Sequence, residues 1–491
     1  MPNTHHLRNF GRNLTLTPKR FYTPKSEHEV LEIMDRHAGA VIRCIGRMHS
    51  WSNILDCEDV TFDLKHLRTV KTGTDDAGHY AEVGAGCQIK HLVKELNVSQ
   101  QWTLPSLGFI TEQTIAGAIS TGTHGSGKHS LSHYVQAVRI AHYDADSGRA
   151  VITEVKSGDE LRAARCSLGT LGVILTVKIE VRDQYRVEEQ FRKYSNINDV
   201  LAAETEFPLQ QFYLVPWKWS FYAQQRRETM KPPSLLAWLY HQYRFWVFDV
   251  FMHLLIFSLT RTYFSKLCTQ LAYRWIIPAC VIRNWKVVAD SSTQLVMEHE
   301  LFHHIELELF VQRPELPDAL DYLTEALKTM ASTSMASTSA RGDRPPVSRA
   351  SPAFAHLQGS YCHHYPICIR KVQCDDTLIS MSCQSDSRTK AMEPWYSITL
   401  TNLHRGKQRT PFMEMMPILT NELSVRFGAR THWGKLFGMS GHQVGSLYPA
   451  LQRFLTIRAH FDPTERFLND WARDCFSNNN DLPKPTSLTK I

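Results

Sequence analysis

Three short segments rich in glycine and hydroxyl residues have the composition of a phosphate-binding site. They read RCIGRMHSWS at residues 43–52, GAISTGTHGSG at 117–127 and SLGTLGVI at 167–174. Glycine lets a backbone approach a ligand because no Cβ intervenes, and successive N–H groups in such turns form an anion nest. A plain turn or a mobile loop explains each segment taken alone. The first segment suits a pyrophosphate, and apolar residues at 115–119 anchor one end of the second.

The common nucleotide-binding fingerprints are absent from the sequence. The run GAGCQI at residues 84–89 lacks the third glycine of a GxGxxG motif, and no Walker A sequence occurs. A diphosphate bound by this chain would therefore be held by a different fold.

The elements that must position these segments are many short strands and few long helices. Apolar runs and period-two alternation predict strands at residues 40–46, 60–64, 80–83, 135–143, 150–155 and 173–181. Helical spacing predicts helices at 88–96 and 159–167. This pattern indicates an α+β first domain, residues 1–183.

The second predicted domain, residues 184–420, contains a stretch of different character. Residues 234–285, called the apolar segment below, are dense in Trp, Tyr and Phe and predict two apolar helices at 235–258 and 265–281. They fit either helices packed on a domain or a patch that contacts a membrane or a partner. Ser, Thr, Ala and Pro at 331–352 predict an exposed loop.

The remaining elements complete the second domain and form a C-terminal segment, residues 421–491. Strand-like sequence occurs at 365–380 and 396–401, and helices are predicted at 417–427 and 447–454. A polar tail follows them.

Composition excludes several classes of protein. The chain has 491 residues and a formal charge of +7, but no dense run of Lys and Arg, so nucleic-acid binding is not expected. Its eleven cysteines form no CxxC pair, which argues against a disulfide framework and a zinc site, and no metal is predicted. No secretory signal begins the sequence. The expected location is cytoplasmic, with membrane association through the apolar segment as an option.

The order of four motifs resembles the vanillyl-alcohol-oxidase (PCMH-type) family of FAD-linked oxidoreductases. These motifs are GRMHSWS, LPSLGFITEQTIAGAISTGTHGSG, CSLGTLGVI and a late HWGK. Within that family the sequence is most similar to the sugar-1,4-lactone oxidases (gulonolactone and arabinonolactone oxidases) and to alditol oxidase. The resemblance implies an α+β fold with a two-subdomain FAD-binding domain, a cap domain, and a C-terminal segment that returns to the active site.

The resemblance also implies the residues that bind FAD. His49 takes the position of the family histidine that carries the flavin through its 8α carbon, although Arg47 and Met48 replace two glycines. A non-covalent, hydrogen-bonded His49 is the alternative. The implied cofactor-binding residues are Gly46, Arg47, Met48, His49, Ser50, Ser52, Gly117, Ser120, Thr121, Gly122, Thr123, His124, Gly125, Gly169, Gly172 and Ile174.

The implied catalytic residues lie late in the chain. Lys435 of HWGK and Arg370 would stabilise the negative charge that hydride transfer develops, and His432 is a candidate base. The family's Glu-x-Arg strand here reads Cys368-Ile369-Arg370, so its glutamate is missing. The alternating acidic residues 306 and 308 could replace it, but we interpret them as supporting the fold.

Three functions remain open from the sequence. The first is oxidation of a sugar lactone or polyol, with O2 or another acceptor taking the electrons. The second is the same chemistry on a lipid-linked sugar or sterol at a membrane, which the apolar segment favours. The third is a flavin-binding protein without catalysis, which the missing glutamate favours.

Overall fold

The computed structural model describes residues 6–261, 265–297, 301–332, 352–384 and 393–477. Most of the predicted loop 331–352 and the C-terminal polar tail lie outside these ranges. All eleven cysteines are within them and are free thiols.

The first domain contains two sheets, as the α+β prediction requires. A parallel three-stranded sheet is formed by Arg20–Tyr22, Val60–Asp63 and Ile42–Ile45 in that order. An antiparallel five-stranded sheet has the order Ala150–Val155, Val135–Tyr143, Val173–Glu180, Gly78–Gly84 and Val70–Asp75. The helices are Glu27–Arg36, Ile89–Gln100, Ile115–Ser120 and Gly158–Arg165. Short strand pairs join Leu7–Arg8 to Thr15–Leu16 and Trp102–Thr103 to Arg182–Asp183.

The second domain is built on one antiparallel sheet of eight strands. Their order is Val287–Asp290, Arg186–Tyr194, Ser220–Thr229, Gln211–Val215, Ile367–Val372, Trp395–Leu403, His304–Gln312 and Arg430–Thr431. One face buries apolar residues such as Leu307, Ile369 and Ile398 in a core shared with the helices Leu316–Ala331 and Arg409–Phe427. Because side chains alternate along a strand, the polar residues between them face the other way.

Proline changes one predicted boundary. The helix expected from residue 417 begins eight residues earlier, because Pro417 lies inside Arg409–Phe427 instead of starting it. The predicted division between domains at residue 421 falls within this helix. The helix predicted at 447–454 is two helices, Gly441–Leu447 and Leu451–Phe461.

The apolar segment folds into two helical rods, as predicted. The first comprises Ala237–Tyr243, a π-helical stretch Arg244–Phe251, and Met252–Leu259; the second comprises Ser265–Leu271, a π-helical stretch Ala272–Ile276, and Ile277–Ala279. Among the described residues, no helix combines the length and hydrophobicity needed to cross a bilayer.

The C-terminal residues return to the first domain. The backbone N–H of Ile42 donates to the carbonyl of Arg466 at 2.7 Å, and Asn469 Nδ2 donates to the carbonyl of Asn53 at 2.9 Å. The final described helix, Asp470–Phe476, places Cys475 in the core of that domain. The predicted return of the C-terminal segment is therefore confirmed.

Candidate active site

The three glycine-rich segments meet at one cavity. A Cβ on Gly46 would lie 2.5 Å from Thr114 Oγ1, and Thr114 caps the helix that carries Gly117, so the first two segments are in contact. The buried Arg43 joins the third, donating from Nη1 to the Gly169 carbonyl at 2.9 Å. Between these segments and the eight-stranded sheet lies a cavity of about 460 Å³.

Nearly all of the predicted site residues line this cavity. They are Gly46, Arg47, Met48, His49, Ser50, Gly117, Ser120, Thr121, Thr123, His124, Gly169, Gly172, Ile174, Arg370, His432 and Lys435. Such a wall of glycine backbone and small hydroxyl groups fits a diphosphate-bearing cofactor, because the backbone can approach it without steric conflict.

Three predicted cofactor residues do not line the cavity and act at a distance from it. Ser52 Oγ donates to the Trp433 carbonyl at 2.6 Å and so joins the first segment to HWGK. Gly122 has φ +72°, where a side chain would be strained, and a Cβ on Gly125 would lie 2.4 Å from the Leu107 carbonyl oxygen. Their roles are in shaping the loops.

His49 follows Met48, a residue whose backbone has a conformation that favours glycine. Met48 has φ +55°, the left-handed region in which glycine is favoured. Met48 therefore adopts, at a cost in strain, a backbone conformation that suits glycine. Burial, followed by the charge of Lys435, lowers the pKa of His49 to about 4. A neutral imidazole at pH 7 is the nucleophilic form that attachment to a flavin needs.

One face of the eight-stranded sheet forms the opposite wall of the cavity. Cross-strand register aligns Glu308, Thr399, Cys368, Tyr213 and Tyr222 in one row, and all five line the cavity. Arg370, Gln211 and Gln224 form the next row. The sheet thus presents polar side chains from five neighbouring strands to one chamber.

Glu308 places a carboxylate beside Arg370 at the cavity wall. Arg370 Nη2 donates to Glu308 Oε1 at 2.7 Å, and His124 Nε2 lies 3.2 Å from the same oxygen. Burial raises the pKa of Glu308, but Arg370 and His124 outweigh it and hold that pKa well below its usual range. The interpretation of Glu308 as merely fold-supporting is therefore corrected, because its carboxylate is at the cavity wall.

A second, partly buried ion pair joins Lys435 to Glu306. Their side chains are hydrogen-bonded, and His304 Nε2 lies 3.2 Å from Glu306 Oε1. Burial raises the pKa of Glu306, but Lys435 and His304 reverse this effect and leave the carboxylate ionised. Lys435 Nζ also lies 4.3 Å above the Trp51 ring, close to the loop that carries His49. Glu306, like Glu308, lines the cavity.

The predicted base role of His432 does not fit its surroundings. Its Nδ1 accepts a hydrogen bond from the backbone N–H of Gly434 at 3.0 Å, so the proton of the neutral ring is on Nε2. Burial lowers its pKa to about 3. The ring can donate a hydrogen bond but has no free lone pair with which to take a proton.

The same residues include a set with metal-ligand geometry. The ligand atoms of His124, Glu308 and His432 lie within 4.8 Å of one another. The Arg370 guanidinium already neutralises Glu308, so these contacts are explained by a hydrogen-bonded network without an ion.

The two rods line the cavity with mostly apolar side chains. Phe248, Met252 and Ile256 of the first rod and Ile277 of the second line it, together with the polar residues Arg244 and Asp249 of the first rod. His253 comes from the same rod, and burial lowers its pKa to about 4. The apolar segment therefore forms one wall of the chamber that contains the two ion pairs.

Sequence comparison supplies the family. Residues 18–147 match the model of an FAD binding domain, and residues 177–475 match the model described as D-arabinono-1,4-lactone oxidase. The chain belongs to the D-arabinono-1,4-lactone oxidase family. The resemblance found in the sequence is confirmed, and the protein is an FAD-dependent oxidoreductase.

Individual relatives differ in the substrate that their names give. A long-chain alcohol oxidase from an uncultured marine euryarchaeote is 47% identical over 465 residues, covering 95% of this chain and 96% of the relative. L-gulonolactone oxidase from Mus musculus is 25% identical over 483 residues, covering 96% and 98%. Cholesterol oxidase from Brevibacterium sterolicum has a TM-score of 0.74 at 12% identity, covering 96% and 97%, which shows a shared fold.

Sequence reasoning did not assign a role to Arg43, which holds the glycine-rich wall of this site together. Arg43 donates to the carbonyls of Ile54, Leu168, Gly169 and Phe467, and so holds together parts of the chain more than 400 residues apart. The available signal was that Arg43 lies in a strand predicted to be buried, because a buried charge requires hydrogen-bonding partners. The partners themselves were not visible in the sequence.

Stability of the protein should fall as the pH drops from about 6.5 to 4. Burial depresses the pKa of four histidines, to about 4 for His49, His253 and His364 and about 3 for His432. Because these values lie below the unfolded pKa of about 6.5, the unfolded chain takes up protons first as pH falls. The stabilisation is complete above pH 6.5 and is lost toward pH 4, at about 1.4 kcal/mol per pKa unit.

Thermal melting between pH 4.5 and 8 tests this expectation. His364→Asn, which removes one such group outside the cavity lining, should flatten the profile, and exposed His66→Asn should leave it unchanged. Carboxylates with depressed pKa values act below about pH 4.5, outside this window. A melting temperature that stays constant from pH 7 to 5 would contradict the prediction.

Proposed function

We propose that this protein oxidises the hydroxyl-bearing carbon of a long-chain, apolar alcohol. The observation that carries the proposal is the cavity itself, whose lining combines the ion pairs of Lys435 and Arg370 with the mostly apolar side chains of the two rods, such as Phe248, Met252 and Ile277. A sugar lactone or polyol carries hydroxyl groups all round and would leave many of them unpaired against these side chains. The name of the 47% identical relative supports the apolar alcohol.

The roles of the residues follow from their positions. Bound FAD would supply the acceptor for the hydride, which carries both electrons, and O2 or another acceptor would reoxidise it, while the hydroxyl proton would leave along its hydrogen bond to Glu306. Gly46, Gly117, Ser120 and Gly169 would hold this cofactor along the glycine-rich wall. Lys435 and Arg370 supply positive charge where negative charge develops, in a site preorganised by their carboxylate partners.

The sheet and the two rods would orient the substrate. Glu306, which is kept ionised by Lys435 and His304, can accept a hydrogen bond from the substrate hydroxyl. Phe248, Met252 and Val281 exclude water and bury the alkyl chain. The two ion pairs at the cavity wall also disfavour the third option, a protein without catalysis, since charges removed from water are costly to keep.

An anaerobic substrate panel tests the proposal by following loss of the visible absorption of the cofactor. Linear primary alcohols of 6–16 carbons, cholesterol, D-arabinono-1,4-lactone, L-gulono-1,4-lactone and xylitol would be compared. Each methylene buried is worth about 0.8 kcal/mol, so kcat/KM should rise about fourfold per carbon until the chamber is full. Faster reaction with either lactone, or no dependence on chain length, would favour the sugar-lactone function suggested by the family model.

A pair of variants relates the chain-length effect to the wall. Met252→Gln should flatten the dependence of kcat/KM on chain length and leave short alcohols little changed. Val98→Gln, at an apolar but exposed position, is the matched control. If kcat/KM depended equally on chain length in both variants, the alkyl chain would not bind against Met252.

We further propose that FAD is attached covalently to His49. Support comes from its place on the cavity wall and from its neutral ring. After precipitation in acid, the wild-type pellet should remain yellow, whereas His49→Ala should release its flavin and turn over about ten- to a hundredfold more slowly, because the bond raises the flavin potential. His66→Ala is the exposed control. Complete release of flavin from the wild type would refute the bond.

A further inference from the structure

The apolar segment has two apolar faces, and the fold covers only one of them. Phe248, Met252 and Ile277 point into the cavity. On the outside, Trp238, Trp246 and Trp275 are 62%, 58% and 65% exposed. A helix in a soluble protein normally keeps a polar face toward water, so an outward apolar face requires a partner.

Exposed apolar side chains are concentrated at this place. Sixteen large apolar side chains are exposed among the described residues, and twelve of them lie between Leu235 and Ile282. The two rods contact each other through Met252–Leu259 and Ser265–Leu271, which brings their outer faces together. Clusters of this kind mark interaction surfaces, whereas isolated exposed apolar residues do not.

The charge around this surface selects the partner. Residues 231–286 contain seven Lys and Arg residues and a single carboxylate, Asp249. Exposed cations flank the apolar face at Lys231, Arg261, Arg274, Arg283 and Lys286. A second copy of this chain would bring like charges together, which disfavours self-association. Anionic phospholipid headgroups complement the cations, and tryptophan is favoured at the boundary between headgroups and acyl chains.

We propose that the outer face of residues 235–261 and 265–283 docks on a bilayer that contains anionic phospholipid. The rods lie in the interface, with tryptophan and leucine side chains among the acyl chains and the cations at the headgroups. The same rods then pass the alcohol from the bilayer into the chamber that their inner residues line. This second step rests on the proposed function.

Vesicle sedimentation of the holoenzyme, without substrate, tests the docking. Phosphatidylcholine vesicles with 30% phosphatidylserine should retain the protein, pure phosphatidylcholine should retain it at least tenfold less, and 0.5 M salt should weaken retention. Each cation near an anionic surface is worth about fivefold in partitioning, so Arg274→Gln with Arg283→Gln should lower retention about thirtyfold. Arg405→Gln with Lys407→Gln, two exposed cations elsewhere, should not.

The apolar contribution has its own variants and readout. Replacing Trp238, Trp246 and Trp275 by Gln should abolish retention and slow turnover of vesicle-borne hexadecanol at least tenfold, with hexanol turnover in solution unchanged. Val98→Gln with Val425→Gln is the matched control. Equal retention by all variants, or dimerisation through this face without vesicle binding, would overturn the docking. Retention with no alcohol oxidised would instead reject the proposed function and leave the docking standing.

Discussion

Replacing Lys435 by methionine should lower turnover about 10²–10³-fold while the protein still contains FAD. Lys435 provides a fixed positive charge in a buried site, and removal of one such preorganised group costs turnover on this scale. Its side chain is held by Glu306 and by the Trp51 ring, so the charge is positioned before substrate arrives. The rate constant for anaerobic bleaching of the cofactor absorption, with a saturating alcohol, measures the effect.

Stability must be separated from catalysis in this experiment. Lys435→Met leaves the partly buried Glu306 carboxylate short of its cation, which should cost less than the roughly 3–5 kcal/mol expected for a fully buried pair. Adding Glu306→Gln should restore the melting temperature but not the rate. Lys407→Met removes an exposed lysine and serves as control. A single variant that reduces its cofactor as fast as the wild type would show that Lys435 has no catalytic role.

Replacing Arg370 by leucine should destabilise the protein by about 3–5 kcal/mol and slow turnover strongly. The guanidinium is the strongest neutralising partner of Glu308, whose side chain is 1% exposed. Removing one member of a buried pair leaves an uncompensated charge, whereas replacing both members by apolar groups can be nearly neutral. Urea denaturation followed by tryptophan fluorescence measures the loss.

The double variant makes this prediction specific to the pair. Arg370→Leu with Glu308→Leu should recover most of the stability lost in Arg370→Leu, but turnover should stay low, because the cation is still missing. Arg405→Leu, at an exposed position, should change neither quantity. If the double variant were as unstable as the single one, the loss would come from packing of the arginine stem instead of from the unpaired carboxylate.

Secondary structure followed from the sequence wherever the pattern was strictly local. The strands Val135–Tyr143 and Ala150–Val155 occur at the predicted residues, because period-two alternation depends only on which face is buried. The start of Arg409–Phe427 was predicted eight residues late, because proline is common in a first helical turn and Pro417 instead lies inside. Tertiary packing of residues such as Phe412 and Met415 overrides that local preference.

The cofactor wall and its loops were determined by the sequence itself. Glycine and small hydroxyl residues are required wherever backbone must approach a ligand, so the segments around Gly46, Gly117 and Gly169 are recognisable without coordinates. The late HWGK motif predicted Lys435, and the match to the family's Glu-x-Arg strand predicted Arg370; both residues line the cavity. Both predictions depended only on residue types and on short spacings along the chain, which can be seen without knowing the fold.

Only the tertiary structure decided which carboxylate pairs with which cation. It also decided which side chains line the wall of the cavity. Glu308 and Arg370 lie on strands separated by Trp395–Leu403, and the long arginine side chain reaches across that strand. The rods become a chamber wall only because segments as distant in sequence as residues 43–50 and 432–435 fold against them. Such contacts depend on sheet order and register, which local sequence does not encode, because the interactions that fix them are long-range.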